Sequence, residues 1–293
     1  MPVGGSRDLA LSATDKRFVI AEMLDCRMRR HYDRFASFVD PGVVLSCHSW
    51  REGMVGPAVW RGADGLRELF RRTDENYLPG DHEIIDVLVD GDEAVVRWRA
   101  DWRRHDNGRI YTNDAAHFLR WDQGRVVEMH EFFDAHCRST PACACLPSFE
   151  TLLTPRPPGL PRGEMERRAR RLLEFESGSP EPALVLKWCA PDIICDFAGD
   201  RARLPYAGRH TGVDALLGII RAVHVDFEQR PLGLSRILIE DARAACWRQV
   251  EWRHRGTGRT GVCELADFVR FDNGLIVECI EFRDTVSLLR MQD

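Results

Sequence analysis

Residues 118–134 read FLRWDQGRVVEMHEFFD, and residues 268–284, which lie 150 positions later, read FVRFDNGLIVECIEFRD. In each stretch one apolar run leads into Asp-x-Gly, and a second apolar run closes on Glu-Phe-x-Asp. Gly, Asn and Asp tolerate the positive φ angles of tight hairpins, so each stretch predicts two antiparallel strands joined by a short turn. Their recurrence at one fixed spacing indicates an internal duplication.

The repeat extends upstream at the same spacing. Trp102 aligns with Trp252 and Gly62 aligns with Gly212, and no gap is needed between these positions. Between the copies lies a segment with six prolines, which excludes a helix interior or central strand and predicts a semi-rigid connector. We therefore predict a first domain over residues 1–138, a proline-rich linker over residues 139–163 and a second domain over residues 164–293.

Each copy has the same predicted order of elements: a helix, a strand, a second helix and a strand meander. In the first copy Ile20, Leu24 and Met28 recur at helical spacing. Ser12 with Asp15, and Thr211 with Asp214, have the spacing of helix caps. The sequence predicts an α+β fold of two tandem cone-shaped domains, each with helices packed on a strongly curved antiparallel sheet. The concave face of such a sheet offers a pocket for a small molecule.

Composition narrows the class of function. The chain has a formal net charge of −5 and scattered arginines, so we expect no nucleic-acid partner. It contains no apolar run of about 18 residues and no signal-peptide pattern, so we expect no membrane partner and a cytoplasmic location. Most cysteines, such as Cys246 and Cys263, lie within apolar runs, as buried reduced thiols do. No phosphate-binding glycine loop and no metal-binding histidine pair occurs, so we expect no cofactor.

Four soft ligand residues cluster at the end of the first copy and in the linker. They are His136, Cys137, Cys143 and Cys145. They could hold a zinc ion, although Cys-x-Cys is not the usual spacing and no second cysteine pair follows. The alternative is that these cysteines are ordinary reduced thiols.

The order of these elements resembles the nuclear-transport-factor-2-like superfamily, and particularly its SnoaL-like branch. The resemblance rests on residues 62–66 and 211–216 at the start of the second helix, on residues 118–127 and on residues 131–134. The branch includes polyketide cyclases, ketosteroid isomerase and limonene-epoxide hydrolase. The resemblance implies a small hydrophobic ligand in the cone and domains that pair through their sheets. The two copies would then form an intramolecular pseudo-dimer, or each could pair with another chain in a homodimer.

In the second copy the resemblance places two carboxylates at catalytic positions. Asp196 corresponds to the general base of ketosteroid isomerase, and Asp267 to its protonated acid. Apolar surroundings would keep such an acid protonated, because burial disfavours the charged form and raises the carboxyl pKa. The tyrosine of that family is missing near Leu172, so the oxyanion partner is lost. The alternative is that Asp196 caps a strand end and Asp267 faces water.

The first copy has Ser46 and His117 at the same two positions, so the copies cannot share one carboxylate mechanism. His117 could act as a general acid or base, because a histidine titrates near neutral pH. The alternative is a hydrogen-bonded core histidine. His48 and Trp50 follow the first strand, and we expect them to border the same pocket.

A second constellation in the first copy resembles limonene-epoxide hydrolase. Arg99 and Asp101 lie two apart on one strand and so share a face, and Glu131 lies on the last strand. One carboxylate would activate water, Arg99 would bridge the acids, and the other acid would protonate the epoxide. Alternatively Val96, Trp98, Ala100 and Trp102 face inward, and Arg99 with Asp101 forms an ion pair on the outer face.

Two functional hypotheses follow from these residues. The first is a cofactor-independent isomerase, cyclase or hydrolase acting on a small apolar substrate. The second is a non-catalytic protein that binds a hydrophobic ligand or serves as a scaffold. A pair of cystatin-like or other helix-on-sheet domains is the alternative fold.

Overall fold

The computed structural model describes residues 10–48, 59–133, 159–177 and 185–293. The elements of the first half are, in chain order, α1 Ala13–Met28, α2 Tyr32–Phe38, β1 Val39–Cys47, β2 Val59–Arg61, α3 Gly62–Asn76, β3 Tyr77–Asp90, β4 Glu93–Arg104, β5 Ile110–Asp122 and β6 Arg125–Phe133. Those of the second half are α4 Arg162–Glu176, β7 Cys189–Phe197, β8 Gly208–Thr211, α5 Val213–Asp226, β9 Phe227–Glu240, β10 Arg243–His254, β11 Thr260–Asp272, β12 Leu275–Arg283 and α6 Thr285–Gln292.

Each half forms one six-stranded sheet, and the two sheets have the same strand order. The orders are β2-β1-β6-β5-β4-β3 and β8-β7-β12-β11-β10-β9. The register also repeats at the spacing of 150, because Arg97 pairs with Ala116 in the first sheet and Trp247 pairs with Ala266 in the second. The predicted α+β fold with two tandem domains is confirmed.

Local chemistry explains the tight turns between these strands. The β5–β6 turn has φ values of 46° at Gln123 and 78° at Gly124, and the β11–β12 turn has 47° at Asn273 and 81° at Gly274. Consecutive positive φ values suit the right-handed twist of the flanking strands, which explains Asn273-Gly274 and Gly124, whereas Gln123 is not a residue that favours this conformation. These hairpins were therefore predictable from the sequence.

The two predicted helix caps have different outcomes. Ser12 and Asp15 form a capping box at the start of α1, as predicted, because each side chain accepts from the other residue's backbone N–H. The prediction for Thr211 was wrong. The residue before α5 is Gly212, with a φ of 97°, and no side chain caps this helix.

Each domain has its own hydrophobic core, between its helices and the concave face of its sheet. The first core is built from residues between Ile20 and Phe133, and the second from residues between Met165 and Met291. The separate cores agree with two folding units rather than with one continuous domain.

The outer faces of the two sheets pack against each other within the chain. A third cluster joins Phe118 and Phe132 of the first sheet to Trp247 of the second. Matching hydrogen bonds flank this cluster: Val89 N–H donates to Glu240 Oε2 at 3.1 Å, and Ile239 N–H donates to Asp90 Oδ2 at 3.0 Å. Since these pairs exchange roles at the spacing of 150, the interface has the pseudo-two-fold form of a symmetric dimer.

Several predicted features lie at the edge of the described residues or beyond them. Most of the linker, the possible zinc ligands His136, Cys137, Cys143 and Cys145, and Trp50 lie outside these residues. The second domain's first helix begins at Arg162, inside the predicted linker. Cys246 and Cys263 are buried free thiols. Within the described residues, no helix has the length and apolar character to cross a membrane.

Candidate functional site

The first domain contains a cavity of about 480 Å³ between its helices and the concave face of its sheet. That volume falls within the roughly 300–1,000 Å³ that ligand pockets usually have. The β4 side chains that line the cavity are those of Val96, Trp98, Ala100 and Trp102. The apolar face of β4 therefore faces inward, which was the alternative prediction for this strand.

His117 and Glu131 place a polar pair on the cavity wall. His117 Nε2 lies 3.1 Å from Glu131 Oε2, but the ring N–H is not aligned for a hydrogen bond. Among the described residues His117 Nδ1 has no hydrogen-bond partner, and unlike Nε2 it is not sealed from open space. His117 therefore has Glu131 beside one ring nitrogen and can present the other, Nδ1, to a ligand in the cavity.

Trp98 supports the position of this histidine. The two rings make an edge contact with centroids 5.5 Å apart, and both residues line the cavity. Trp98 Nε1 is buried without a hydrogen-bond partner among the described residues. A buried N–H of this kind is costly, so native structures usually provide it with a partner or an ordered water.

A buried arginine lies at another part of the wall. Arg27 is 7% exposed, and its Nη1 donates to Asp74 Oδ1 at 3.0 Å. Burial lowers the pKa of the Arg27 guanidinium, while Asp74 and Glu131 raise it. Burial also raises the pKa of the Asp74 carboxyl, and Arg27 lowers it.

The predicted grouping of Arg99, Asp101 and Glu131 is not assembled. Arg99 pairs with Asp114 on the neighbouring strand, with Nε 2.5 Å from Oδ1, while Asp101 accepts from the Thr112 hydroxyl at 2.5 Å. Arg99 and Asp101 alternate with the β4 residues that line the cavity, so they occupy the outer face. Glu131 faces the cavity without them.

In the second domain, charged side chains fill the space that is open in the first. At the spacing of 150, Trp98, His117 and Phe133 are replaced by Arg248, Asp267 and Arg283, while Glu131 has Glu281 as its identical counterpart. Only about 20 Å³ remains beside this group. The second cone is therefore a packed core, although it shares the fold of the first.

The replacing side chains form a compact ion network. Arg248 Nε donates to Asp267 Oδ2 at 2.7 Å, and its Nη2 donates to Glu281 Oε2 at 2.7 Å. A third guanidinium nitrogen donates to the Ser177 hydroxyl at 2.8 Å. Arg283 pairs with the second oxygen of Glu281. Burial raises the pKa of the Glu281 carboxyl, and the two arginines lower it.

The predicted dyad of Asp196 and Asp267 is therefore not formed. Asp267 is fully buried on the concave face and does not face water, which also corrects the alternative prediction. Asp196 alternates with Cys195 and Phe197, which belong to the second core, so it lies on the opposite face of the sheet. The two carboxylates cannot act on one substrate.

His48 lies at the domain interface and not at the cavity. Its ring packs on Trp247 with centroids 5.0 Å apart, and its Nε2 is 2.9 Å from His130 Nδ1. Because His130 Nε2 lies 2.9 Å from Glu128 Oε1, that nitrogen carries the proton when His130 is neutral, and His48 then donates to His130. Burial and His130 lower the pKa of His48 to about 4.

Sequence reasoning missed Arg27 and Arg248. Arg27 stands among apolar helix positions, which is a usable signal for an inward-facing charge. Arg248 could have been noticed as the counterpart of Trp98, because the internal alignment places a charge where the first copy has an apolar side chain.

Comparison with known proteins finds a family model similar to the first domain. Residues 20–129 match the SnoaL-like domain, and no curated protein matches the chain. The first domain is thus similar to the SnoaL-like domain over these residues, and the second half repeats its strand order.

Solved structures similar to part of the chain include three bacterial proteins. A nuclear-transport-factor-2-like protein from Burkholderia xenovorans is 19% identical, with 45% of this chain and 97% of that one covered and a TM-score of 0.40. A candidate isomerase from Rhodopseudomonas palustris is 19% identical, with 44% of this chain and 95% of that one covered and a TM-score of 0.40. A candidate SnoaL-like polyketide cyclase from Mesorhizobium loti is 18% identical, with 40% of this chain and 97% of that one covered and a TM-score of 0.33.

Proposed function

We propose that the first domain, which is SnoaL-like over residues 20–129, is a cofactor-independent enzyme that moves a proton next to the carbonyl of a small apolar substrate. The observation that carries this proposal is the environment of His117. Glu131 Oε2 lies 3.1 Å from His117 Nε2, and His117 Nδ1 is open to the cavity. The apolar lining would exclude water and hold a hydrophobic substrate beside this base.

The proposed step uses one tautomer of His117. Glu131 favours the proton on Nε2, which leaves the lone pair of Nδ1 facing the substrate. Nδ1 takes the proton from the carbon next to the carbonyl, and the electrons of the broken C–H bond form an enolate. Glu131 stabilises the imidazolium, and the same nitrogen returns the proton to carbon. Catalytic contacts are often poorly aligned before substrate binds, so the present alignment is compatible with this role.

The second domain serves as a scaffold in this proposal. Its Asp267 and Glu281 are already paired with Arg248 and Arg283, and no space of substrate size lies beside them among the described residues. Its outer sheet face instead buries the outer face of the catalytic domain.

Exchange of carbon-bound protons tests this proposal without knowledge of the natural substrate. The bicyclic ketone 2-tetralone is incubated with the protein in D₂O, and loss of its α-proton signals is followed by NMR. We expect catalysed exchange, and His117→Gln should lower its rate by about 100-fold or more, the usual contribution of a general base. Arg99→Gln is the matched control, because Arg99 lies on the outer face of the same sheet, and it should exchange like wild type.

A second candidate function is ligand binding without catalysis. The misaligned N–H between His117 and Glu131 favours it. In that case 2-tetralone would bind, measured by quenching of Trp98 and Trp102, which line the cavity, while exchange stays at the buffer rate. Equal exchange rates for wild type and His117→Gln would reject the catalytic proposal.

A further inference from the structure

The cavity contains a cationic group that the proposed proton transfer does not use. Arg27 lines the cavity, and Nη1 makes its hydrogen bonds, to Asp74 Oδ1 at 3.0 Å and to the Tyr32 hydroxyl at 3.4 Å. Nε and Nη2 make no hydrogen bond among the described residues, and neither atom is sealed from open space. The Nε–Nη2 edge of Arg27 is therefore available to a ligand.

Aromatic rings hold this guanidinium in place. Its central carbon lies 4.6 Å from the ring centroid of Phe70, 5.1 Å from that of Trp102 and 5.9 Å from that of Tyr32. A guanidinium that stacks on aromatic faces still presents its N–H donors in its own plane. Less rotamer freedom is then lost when a ligand binds, so the group is preorganised.

The carboxylate that pairs with Arg27 is shared with a second arginine. Asp74 is shared with Arg30, whose Nε lies 3.3 Å from Asp74 Oδ2. One carboxylate thus serves two guanidinium groups. Glu131, whose charge also acts on Arg27, is placed 3.1 Å from His117. Because Arg27 is buried and shares this counter-ion, an anionic ligand group can form a further favourable pair with it.

We propose, on the basis of the proposed function, that the substrate of the first domain carries a carboxylate, which the Nε–Nη2 edge of Arg27 binds. Two parallel N–H···O bonds to one carboxylate match the fork geometry of arginine. The substrate class is therefore an apolar keto acid, with its carboxylate at Arg27 and its carbonyl near His117. Arg27 acts as a binding residue and selects acids over neutral compounds of the same shape.

Two probes of similar shape test this inference at neutral pH by isothermal titration calorimetry. They are 2-naphthoate, which is anionic, and 2-naphthamide, which is neutral. Wild type should bind 2-naphthoate about 10- to 100-fold more tightly, the range expected for hydrogen bonds between charged groups. Arg27→Met should abolish this preference and change the affinity for 2-naphthamide by less than about threefold.

Arg30→Met is the matched control. It removes one partner of Asp74, as Arg27→Met does, but Arg30 does not line the cavity. The preference for 2-naphthoate should persist in this variant. If Arg27→Met fails to fold, Arg27→Lys replaces it as the test. Lysine keeps the positive charge but lacks the two parallel N–H donors of the Nε–Nη2 edge, so it should reduce the preference for 2-naphthoate by about tenfold.

The outcomes separate this inference from the proposed function. Equal affinities of wild type for both probes would overturn the carboxylate inference and leave the proposed function in place. An equal loss of preference in Arg27→Met and Arg30→Met would also overturn it, because general charge would then explain the effect. If wild type bound neither probe, both proposals would be overturned.

Discussion

Removal of Arg248 should strongly destabilise the second domain. In Arg248→Met, Asp267 loses its hydrogen bonds from Nε at 2.7 Å and from Nη2 at 3.2 Å, and it remains fully buried. Glu281 would still keep Arg283, so Asp267 is the carboxylate left without an arginine. Loss of one partner of a buried ion pair costs about 3–5 kcal/mol, and we expect this decrease in the free energy of unfolding.

Urea-induced unfolding, followed by circular dichroism, measures this effect. The comparison variant is Arg230→Met, which breaks an ion pair of 2.7 Å to Glu251 whose side chains are 66% and 36% exposed. An exposed pair is worth at most about 1 kcal/mol, so this variant should unfold almost like wild type. Adding Asp267→Asn to Arg248→Met should recover part of the loss, because it removes the unpaired charge. The reasoning would be refuted if both arginine variants had the same stability.

The remaining predictions concern the cavity and the domain interface. Ala115 lines the cavity, and its counterpart in the filled domain is Leu265. Ala115→Leu should therefore fill part of the cavity and weaken 2-naphthamide binding at least about tenfold in calorimetry. The circular dichroism spectrum should be unchanged. Wild-type affinity in this variant would show that the probe binds elsewhere. The His48 pKa of about 4 lies below its ordinary value of 6.5, so the unfolded chain binds more protons between these pH values, and stability falls as pH decreases through this window. The loss attributable to His48 should reach about 3 kcal/mol at pH 4, and His48→Gln should show a smaller decrease in urea unfolding than wild type. Identical pH profiles of the two proteins would contradict the half-buried, neutral state of His48.

The fold was predictable because its signals are local. The turn at Asn273 and Gly274 requires positive φ angles, and both residue types accept them readily. The alternation of apolar and polar residues along β4 also gave the apolar face, with Trp98, as one of two alternatives for the inward face. The same alternation, applied to Cys195 and Phe197, would have placed Asp196 on the outer face.

The state of each cone could not be predicted in the same way. Whether a cone is hollow depends on how a few side chains meet across the sheet, and Trp98 and Arg248 lead to opposite results at equivalent positions. Helical spacing places Arg27 on the apolar face of α1, but it does not show that the guanidinium lines a cavity instead of reaching out to solvent. Such positions are set by tertiary packing and not by local pattern.

The central claim is that one domain has an open cavity and the other has a filled one. A crystal structure of the full chain soaked with 2-naphthamide tests this claim most directly. We predict density for the probe in the first domain, in contact with Trp98 and His117, and continuous side-chain density for Arg248 and Asp267 in the second. Probe density beside Arg248, or a first domain closed around its own side chains, would contradict the account.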